Sequence, residues 1–227
     1  MALTKAYGKD DMGKLLIEQL SVGMLPTNCY VLHLEDSTQA VVVDPGDQGA
    51  EIAEHLKGQG LTVSAVLLTH GHFDHIYGVK ALKEATGAYV AAPEAERELL
   101  LDPAENLSLS FGHSVTLKAD RYLADGEVFE EAGIRFMTIA TPGHTAGSTS
   151  YFIDGEKPVL LSGDTLFCES IGRTDMPTSS MGAMMRSLRR LAMLPDNTSV
   201  LPGHMETTTI GDEKKYNPYL SGMDRGE

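Results

Sequence analysis

The chain has 227 residues and carries 32 Asp and Glu against 18 Lys and Arg, which gives a formal net charge of -14. Because nucleic-acid binding draws much of its free energy from basic side chains that neutralise phosphates, this acidic balance opposes a DNA- or RNA-binding role. The 42% of hydrophobic and 22% of charged residues are typical of a folded globular protein. We therefore expect no nucleic-acid partner, and the length suits a single domain over residues 1–227.

The cysteine content and the hydropathy of the chain bear on its compartment. Cys29 and Cys168 form neither a disulfide framework nor a C-x-x-C motif. No stretch approaches the roughly eighteen consecutive apolar residues that a membrane-spanning helix requires. We therefore expect a cytoplasmic protein without membrane association, in which Cys168 is a packing residue rather than a reactive thiol.

Short apolar runs of strand length alternate with segments of helical periodicity. The apolar runs predict strands at 15–22, 29–34, 39–43, 63–68, 88–92, 127–129, 134–140, 148–153, 158–162 and 198–201. The periodicity predicts helices at 50–60, 76–86, 93–101, 180–194 and 209–216, with a long surface connection at 102–120. This α/β pattern fits two sheets packed face to face with helices on both outer faces, and it also fits one doubly wound sheet.

Three imidazoles and one carboxylate fall within six residues, in the run Thr69-His70-Gly71-His72-Phe73-Asp74-His75. Residues two apart do not face each other on a helix, so His70 and His72 fit an extended segment on which both point the same way. Asp74 and His75 then project differently, which predicts two neighbouring ligand clusters. Imidazole and carboxylate suit Zn, Fe, Mn or Ni, and the lack of cysteine argues against a closed structural zinc site.

Three further segments end a predicted strand with glycine followed by a ligand-type side chain. They are Gly143-His144, Gly163-Asp164 and Gly203-His204. Glycine permits close backbone approach, so we expect these strand ends to converge on one rim. Unpaired clusters of this kind are costly to bury without a cation. Outside such a context, we interpret His33, His55 and His113 as ordinary packed or solvated histidines.

These segments together resemble the metallo-β-lactamase superfamily, whose signature is T-H-x-H-x-D-H followed by a distant His, Asp and His. Two further segments resemble the short form of its glyoxalase II branch, the hydroxyacylglutathione hydrolases: Gly163-Asp164-Thr165-Leu166-Phe167 and Gly172-Arg173-Thr174-Asp175. The resemblance extends from Thr27-Asn28-Cys29-Tyr30 through Asp44-Pro45-Gly46 to Asn217-Pro218. It implies a four-layer αββα sandwich with the site at the edge of the two sheets. It also implies that the extra C-terminal helical domain of the long enzymes is absent.

The resemblance implies two metal sites that share one ligand. It gives His70, His72 and His144 to the first site, Asp74, His75 and His204 to the second, and Asp164 to a bridging position. Asp44 resembles a carboxylate that orients a ligand histidine, and Asp74 is implied to orient the nucleophile. We expect two divalent metal ions as cofactors, namely Zn, with Fe or Mn as alternatives.

The resemblance also implies a reaction. Two cations about 3.5 to 4 Å apart lower the pKa of a bound water from 15.7 to about 7, so that hydroxide attacks the carbonyl of a small anionic thioester such as S-lactoylglutathione. Arg173 is a candidate for binding the anionic part of the substrate and equally for an ion pair with Asp175. A persulfide dioxygenase with one iron is the alternative reading, and lactonase or β-lactamase activity ranks below it. True zinc β-lactamases lack a bridging carboxylate such as Asp164.

Overall fold

The computed structural model describes residues 3–10 and 13–221, so the predicted domain of 1–227 extends beyond the described residues at both ends. The strands are β1 Leu3–Asp10, β2 Gly13–Val22, β3 Thr27–Leu34, β4 Gln39–Val43, β5 Thr62–Leu67, β6 Tyr89–Pro93, β7 Arg121–Leu123, β8 Val128–Glu131, β9 Ile134–Ala140, β10 Thr149–Ile153, β11 Val159–Gly163, β12 Leu166–Phe167, β13 Ser170–Ile171, β14 Ser199–Pro202 and β15 Thr208–Thr209. The α-helices are α1 Gly49–Gly58, α2 Phe73–Ile76, α3 Val79–Thr86, α4 Met181–Leu191 and α5 Ile210–Tyr216. Short 3-10 helices lie at Glu94–Glu96, Leu99–Leu101 and Ser108–Phe111.

The strands form two large mixed sheets. The first has the order β1-β2-β3-β4-β5-β6-β7, with antiparallel pairs as far as β4 and parallel pairs from β4 to β7. The second has the order β15-β14-β11-β10-β9-β8, in which only β11 and β14 pair in parallel. The two strands β12 and β13 form a separate hairpin.

Three apolar clusters separate four layers. Strand alternation sends Val41 and Val43 into a cluster shared by both sheets, whereas Val42 packs outward beneath α1 and α3. On the far side, Leu160 of β11 packs against α4 and α5. Both sheets are thus buried on two faces, and the predicted αββα sandwich is confirmed.

The strongly patterned elements match their predictions closely. The strands at Gln39–Val43 and Ile134–Ala140 have the predicted bounds. Ser180 caps α4 as predicted, because its side chain accepts a hydrogen bond from the backbone N–H of Ala183. Within residues 3–10 and 13–221, no helix is both long and apolar enough to cross a membrane.

One helix prediction is wrong, and another has the correct end at Thr86 but the wrong start. The segment 93–101 forms two 3-10 helices rather than one α-helix. The segment 76–86 is interrupted at Gly78, whose backbone N–H donates to the carbonyl of Pro45. A Cβ at Gly78 would lie 2.6 Å from that carbonyl oxygen, so the chain bends here to pack against the loop after β4.

Candidate metal centre

The seven predicted ligands converge at the ends of four strands. His70 and His72 lie in the loop after β5, and Asp74 and His75 lie on α2, which follows directly. His144, Asp164 and His204 follow β9, β11 and β14 of the second sheet. Their donor atoms form three groups in which all atoms lie within 4.8 Å of one another: His70, His72 and His144; His70, His75 and Asp164; and Asp74, His75 and His204.

The first of these groups, which we call the first triad, consists of His70, His72 and His144. Its three side chains are almost completely buried. The Nδ1 atom of His72 lies 2.9 Å from Nε2 of His144, and the rings of His70 and His72 are 4.9 Å apart. Three imidazoles therefore point their ring nitrogens at a common point.

The second triad consists of Asp74, His75 and His204. Nε2 of His204 lies 3.2 Å from Oδ2 of Asp74, and Nε2 of His75 lies 3.8 Å from the same oxygen. The His75 side chain is fully buried, whereas 21% of the His204 side chain and 13% of the Asp74 side chain are exposed. The second triad thus faces the rim of the site.

Asp164 lies between the two triads. Its Oδ1 is 3.4 Å from Nε2 of His75, and its Oδ2 is 3.4 Å from Nε2 of His144 and 3.6 Å from Nε2 of His204. A Cβ at Gly203 would overlap this carboxylate, so only glycine allows the strand end that precedes His204 to approach so closely.

The donor set fits divalent metal ions. Three buried side-chain atoms that face the centre have no hydrogen-bond partner: Nε2 of His70 and His75, and Oδ1 of Asp164. An unpaired buried polar atom costs several kcal/mol, on the order of 2–7, unless a partner compensates it. Imidazole nitrogens and carboxylate oxygens that point at common points supply the ligands preferred by Zn, Fe and Mn.

Burial dominates the electrostatics of the first triad. It lowers the pKa of His70 well below its ordinary value, and neighbouring histidines add to the effect. Burial also lowers the pKa of His72 to about 3, with His144 contributing further, and the pKa of His144 is lowered for the same primary reason. The three imidazoles are therefore neutral at pH 7, which is the form that binds metal ions.

Nearby carboxylates determine the direction of the pKa shifts of the two histidines in the second triad. Burial alone lowers the pKa of His75, but Asp164, Asp74 and Asp44 outweigh it and raise the pKa to about 10. The pKa of His204 is also raised, because the hydrogen bond to Asp74 and the charge of Asp164 outweigh burial. Burial raises the pKa of Asp74, yet His75 and His204 together hold it well below its usual range.

Asp44 lies where it can orient His75. Its Oδ2 lies 3.0 Å from Nδ1 of His75 and accepts a hydrogen bond from Oγ1 of Thr69 at 2.6 Å. Its Oδ1 accepts from the backbone N–H of Thr69 at 2.8 Å, and its own backbone has a positive φ of 50°. The contact leaves Nε2 of His75 directed into the centre.

Glu96 is a residue that the sequence analysis did not single out. It is completely buried and accepts hydrogen bonds from the backbone N–H groups of Gly71 and Gly147 and from Oγ1 of Thr145, at 2.7 to 2.8 Å. Gly71 lies between His70 and His72, and Thr145 follows His144. Glu96 therefore joins the two loops that carry the first triad, and its partners are 25 to 51 positions away, beyond the reach of any local pattern.

Asn28 performs a comparable role at His204. Its backbone N–H donates to the carbonyl of Gly203, and its side-chain amide donates to the carbonyls of Pro202 and Met205. The segment that carries His204 is thus held by a strand near the start of the chain. The motif at 27–30 had indicated family resemblance without indicating this contact.

Other predicted residues lie outside the ligand groups. The exposed side chain of Arg173 forms a two-fold ion pair with Asp175 at 3.0 and 3.1 Å, while its backbone carbonyl lies 3.0 Å from Nδ1 of His144. His33 lies on β3 and His55 pairs with Glu18. Both cysteines are free; Cys29 is buried and Cys168 is half-buried, and burial raises the pKa of each thiol.

Fold and site together define an αββα protein with a His/Asp metal-binding centre. The chain belongs to the metallo-beta-lactamase superfamily, whose family model matches residues 22–204. It is 32% identical over 209 residues to the hydroxyacylglutathione hydrolase GloC of Haemophilus influenzae, covering 90% of this chain and 98% of the relative. These findings define the protein as a metallo-hydrolase of this superfamily.

Solved structures agree with this assignment. The chain is similar to the BLEG-1 B3 metallo-beta-lactamase, with a TM-score of 0.85, 38% identity and coverage of 91% of this chain and 100% of the other. It is similar to TTHA1623 in a di-iron-bound form, with a TM-score of 0.79, 32% identity and coverage of 89% and 99%. It is also similar to ETHE1 from Myxococcus xanthus, with a TM-score of 0.73, 30% identity and coverage of 91% and 84%.

Proposed function

We propose that the protein is a thioester hydrolase of the hydroxyacylglutathione hydrolase type. The observation that carries the proposal is the position of Asp164, which lies 3.4 Å from a histidine of each triad. A carboxylate shared in this way joins two ligand sets into one dinuclear centre. The similarity to GloC supports the same reaction class.

Bound divalent cations supply Lewis acidity and a hydroxide nucleophile at neutral pH, because they lower the pKa of water to about 7. Asp74 lies on the rim side of the centre. Its Oδ2 accepts a hydrogen bond from Oγ1 of Thr27 at 3.4 Å and lies beside His204. We assign to Asp74 the orientation of the attacking oxygen. The C–S bond of the thioester breaks, and water and thioester become a carboxylic acid and a thiol.

We propose two divalent metal ions as cofactors, with Zn as the first choice and Fe or Mn as alternatives. The di-iron form of TTHA1623 supports a two-metal centre. For a small anionic thioester, Arg173 is the proposed contact of the anionic part. Its guanidinium would exchange the exposed carboxylate of Asp175 for that of the substrate, because both partners are 70% exposed.

The proposal is tested by metal analysis of the purified protein together with an assay of thiol release from S-lactoylglutathione. We expect about two metal ions per chain, as two ligand triads would hold, and metal-dependent hydrolysis. Removal of the metal with a chelator should abolish thiol release, and Zn should restore it. A parallel assay with a chromogenic cephalosporin tests β-lactam hydrolysis, the reaction of the class to which BLEG-1 is assigned.

A persulfide dioxygenase is the second candidate function. Two imidazoles and one carboxylate, from His70, His75 and Asp164, lie within 4.8 Å of one another, and this donor set is typical of mononuclear non-haem iron. One Fe per chain, oxygen uptake with glutathione persulfide and no hydrolysis of S-lactoylglutathione would contradict the thioesterase proposal.

A further inference from the structure

An apolar cleft adjoins the second triad, and apart from Asp74 its residues have no part in the reaction described above. We call it the side cleft. Its volume is about 150 Å³, and it is lined by Gly23, Met24, Gly46, Asp47, Phe73, Asp74, Tyr77 and His113. A larger cavity of about 550 Å³ shares Asp47 and Tyr77 with it, but none of the seven candidate ligands lines that cavity.

Packed aromatic pairs build the wall of the side cleft. The rings of Tyr77 and His113 are 4.8 Å apart, and Phe73 packs on Phe111 with ring centroids at 4.4 Å. Tilted ring pairs of this kind stabilise each other by contact. At the mouth, Met24 is 67% exposed and Tyr77 is 41% exposed. An exposed apolar surface beside polar groups is typical of a ligand-binding surface.

The charges of the side cleft exclude anionic groups. No lysine or arginine is among its lining residues, and its two charged side chains are the carboxylates of Asp47 and Asp74. Once Asp74 faces a metal ion, Asp47 still repels anions. The carboxylates of a peptide-like thiol therefore cannot gain a charge partner here, whereas an uncharged apolar group gains contact with Met24, Phe73 and Tyr77.

Asp74 belongs both to the second triad and to the lining of the side cleft. The side cleft therefore borders the second triad at Asp74, and a substituent of a substrate bound at the centre could extend into it. At about 150 Å³ the side cleft is smaller than the ~300 Å³ at which sites for whole drug-sized ligands begin. Its size suits one substituent, such as a ring or a short alkyl chain.

We propose that the side cleft binds an apolar substituent of the thioester, so that the preferred substrates carry an apolar group next to the thioester bond. The inference rests on the proposed thioesterase function. The apolar group has two sources, the acyl portion and the thiol portion of the substrate, and both would meet the same contacts.

Two substrate series separate these sources. One lengthens the acyl group from acetyl to hexanoyl, and then to phenylacetyl, on a fixed thiol; the other enlarges the thiol at a fixed acetyl group. We expect kcat/KM to rise about threefold per added methylene in one series, slightly below the roughly fourfold gain for full burial of a CH₂ group. The series in which kcat/KM rises with size identifies which portion of the substrate occupies the side cleft.

Exposed residues of the side cleft provide the matched variants. Met24→Ser and Tyr77→Ser should abolish the rise of kcat/KM with apolar size in the series that shows it. Rates with the acetyl substrate should change by about twofold or less. Met193→Ser makes the same chemical change at an 86% exposed position that does not line the side cleft, and it should leave the slope unchanged. Hydrolysis without any dependence on apolar size, or an unchanged slope in both side-cleft variants, would overturn this inference alone. A wild-type protein that hydrolyses no member of either series would overturn the proposed function together with the inference.

Discussion

The two triads use the same side-chain chemistry in opposite electrostatic settings. The first triad contains three imidazoles, each at most 4% exposed, and burial keeps all three neutral. In the second triad a carboxylate replaces one imidazole, and surrounding carboxylates raise the pKa of both remaining histidines. Burial thus prepares the first triad for metal binding, whereas the histidines of the second triad must release protons when a metal ion binds.

The residues that hold the two triads in place by hydrogen bonds also differ. Glu96 joins the loops of the first triad by three hydrogen bonds that lie entirely in the interior. The second triad depends on Asp44 behind His75 and on Asn28 beneath His204, while its outer side meets the side cleft. The first triad is therefore the more deeply enclosed part of the centre, and the second is the part that faces the rim.

Removal of a first-triad ligand should have the largest effect. For His72→Ala we expect kcat/KM for thioester hydrolysis to fall by more than ~100-fold, since loss of a ligand exceeds the 10–100-fold effect of losing a residue that supports one. Far-UV circular dichroism should remain close to that of the wild type. His33→Ala, a change on β3 outside the centre, serves as the control. Wild-type activity in the His72→Ala protein would refute the assignment of this ligand.

Removal of Glu96 should have the next largest effect. Glu96→Ala leaves three donors without their partner and should weaken metal affinity at the first triad by about 10- to 100-fold, measured by competition with a chromophoric chelator. The visible spectrum of the cobalt-substituted protein should change as well.

The buried Glu213 offers a matched control for this prediction. It also accepts three hydrogen bonds, from Glu169, Thr208 and Asn217, and none of these partners belongs to the loops that carry the first triad. We expect Glu96→Ala and Glu213→Ala to lose similar stability, about 3 kcal/mol each in the free energy of unfolding. If Glu213→Ala weakens metal binding as much as Glu96→Ala does, Glu96 supports the fold and has no particular role at the first triad.

The smallest expected change, up to about tenfold for each pH unit, is a difference in how metal affinity at the two triads depends on pH. In the metal-free chain His75 has a pKa of about 10 and is protonated at pH 7, so metal binding must release that proton. Affinity at the second triad should therefore rise by up to about tenfold per pH unit between pH 6 and pH 9. The histidines of the first triad have lowered pKa values, so affinity there should be nearly flat over that range.

Single-site proteins separate the two pH profiles. His72→Ala leaves the second triad intact, and His204→Ala leaves the first. Calorimetry in buffers of different ionisation enthalpy should show proton release on metal binding to His72→Ala and little release for His204→Ala. Equal proton release in the two variants would contradict the electrostatic contrast between the triads.

Local patterns in the sequence predict much of this molecule. Strand alternation and turn residues predict β4 and β9, and the hydroxyl of Ser180 predicts the start of α4, because each depends on neighbouring residues. The wrong helix at 93–101 shows the limit of such patterns. There Glu96 turns into the interior to bind residues 25 to 51 positions away, and these long-range hydrogen bonds accompany 3-10 turns in place of an α-helix.

The residues of the candidate site also fall into two groups, those that local patterns predict and those that they do not. Ligand spacing within 70–75 and the glycine before each distant ligand predict which side chains meet. The hydrogen bonds of Glu96, the contact of Asn28 with the His204 segment and the ring contact between His113 and Tyr77 all depend on how distant segments pack. No periodicity or motif marks them, so they emerge only from the folded chain.

The hydrogen bonds from Asn28 to the segment before His204 span 174 positions of sequence. The ligands of the first triad all lie between positions 70 and 144, whereas His204 reaches its place only when an early strand and a late strand have met. During synthesis on the ribosome, the first triad is therefore complete in sequence well before the second can form.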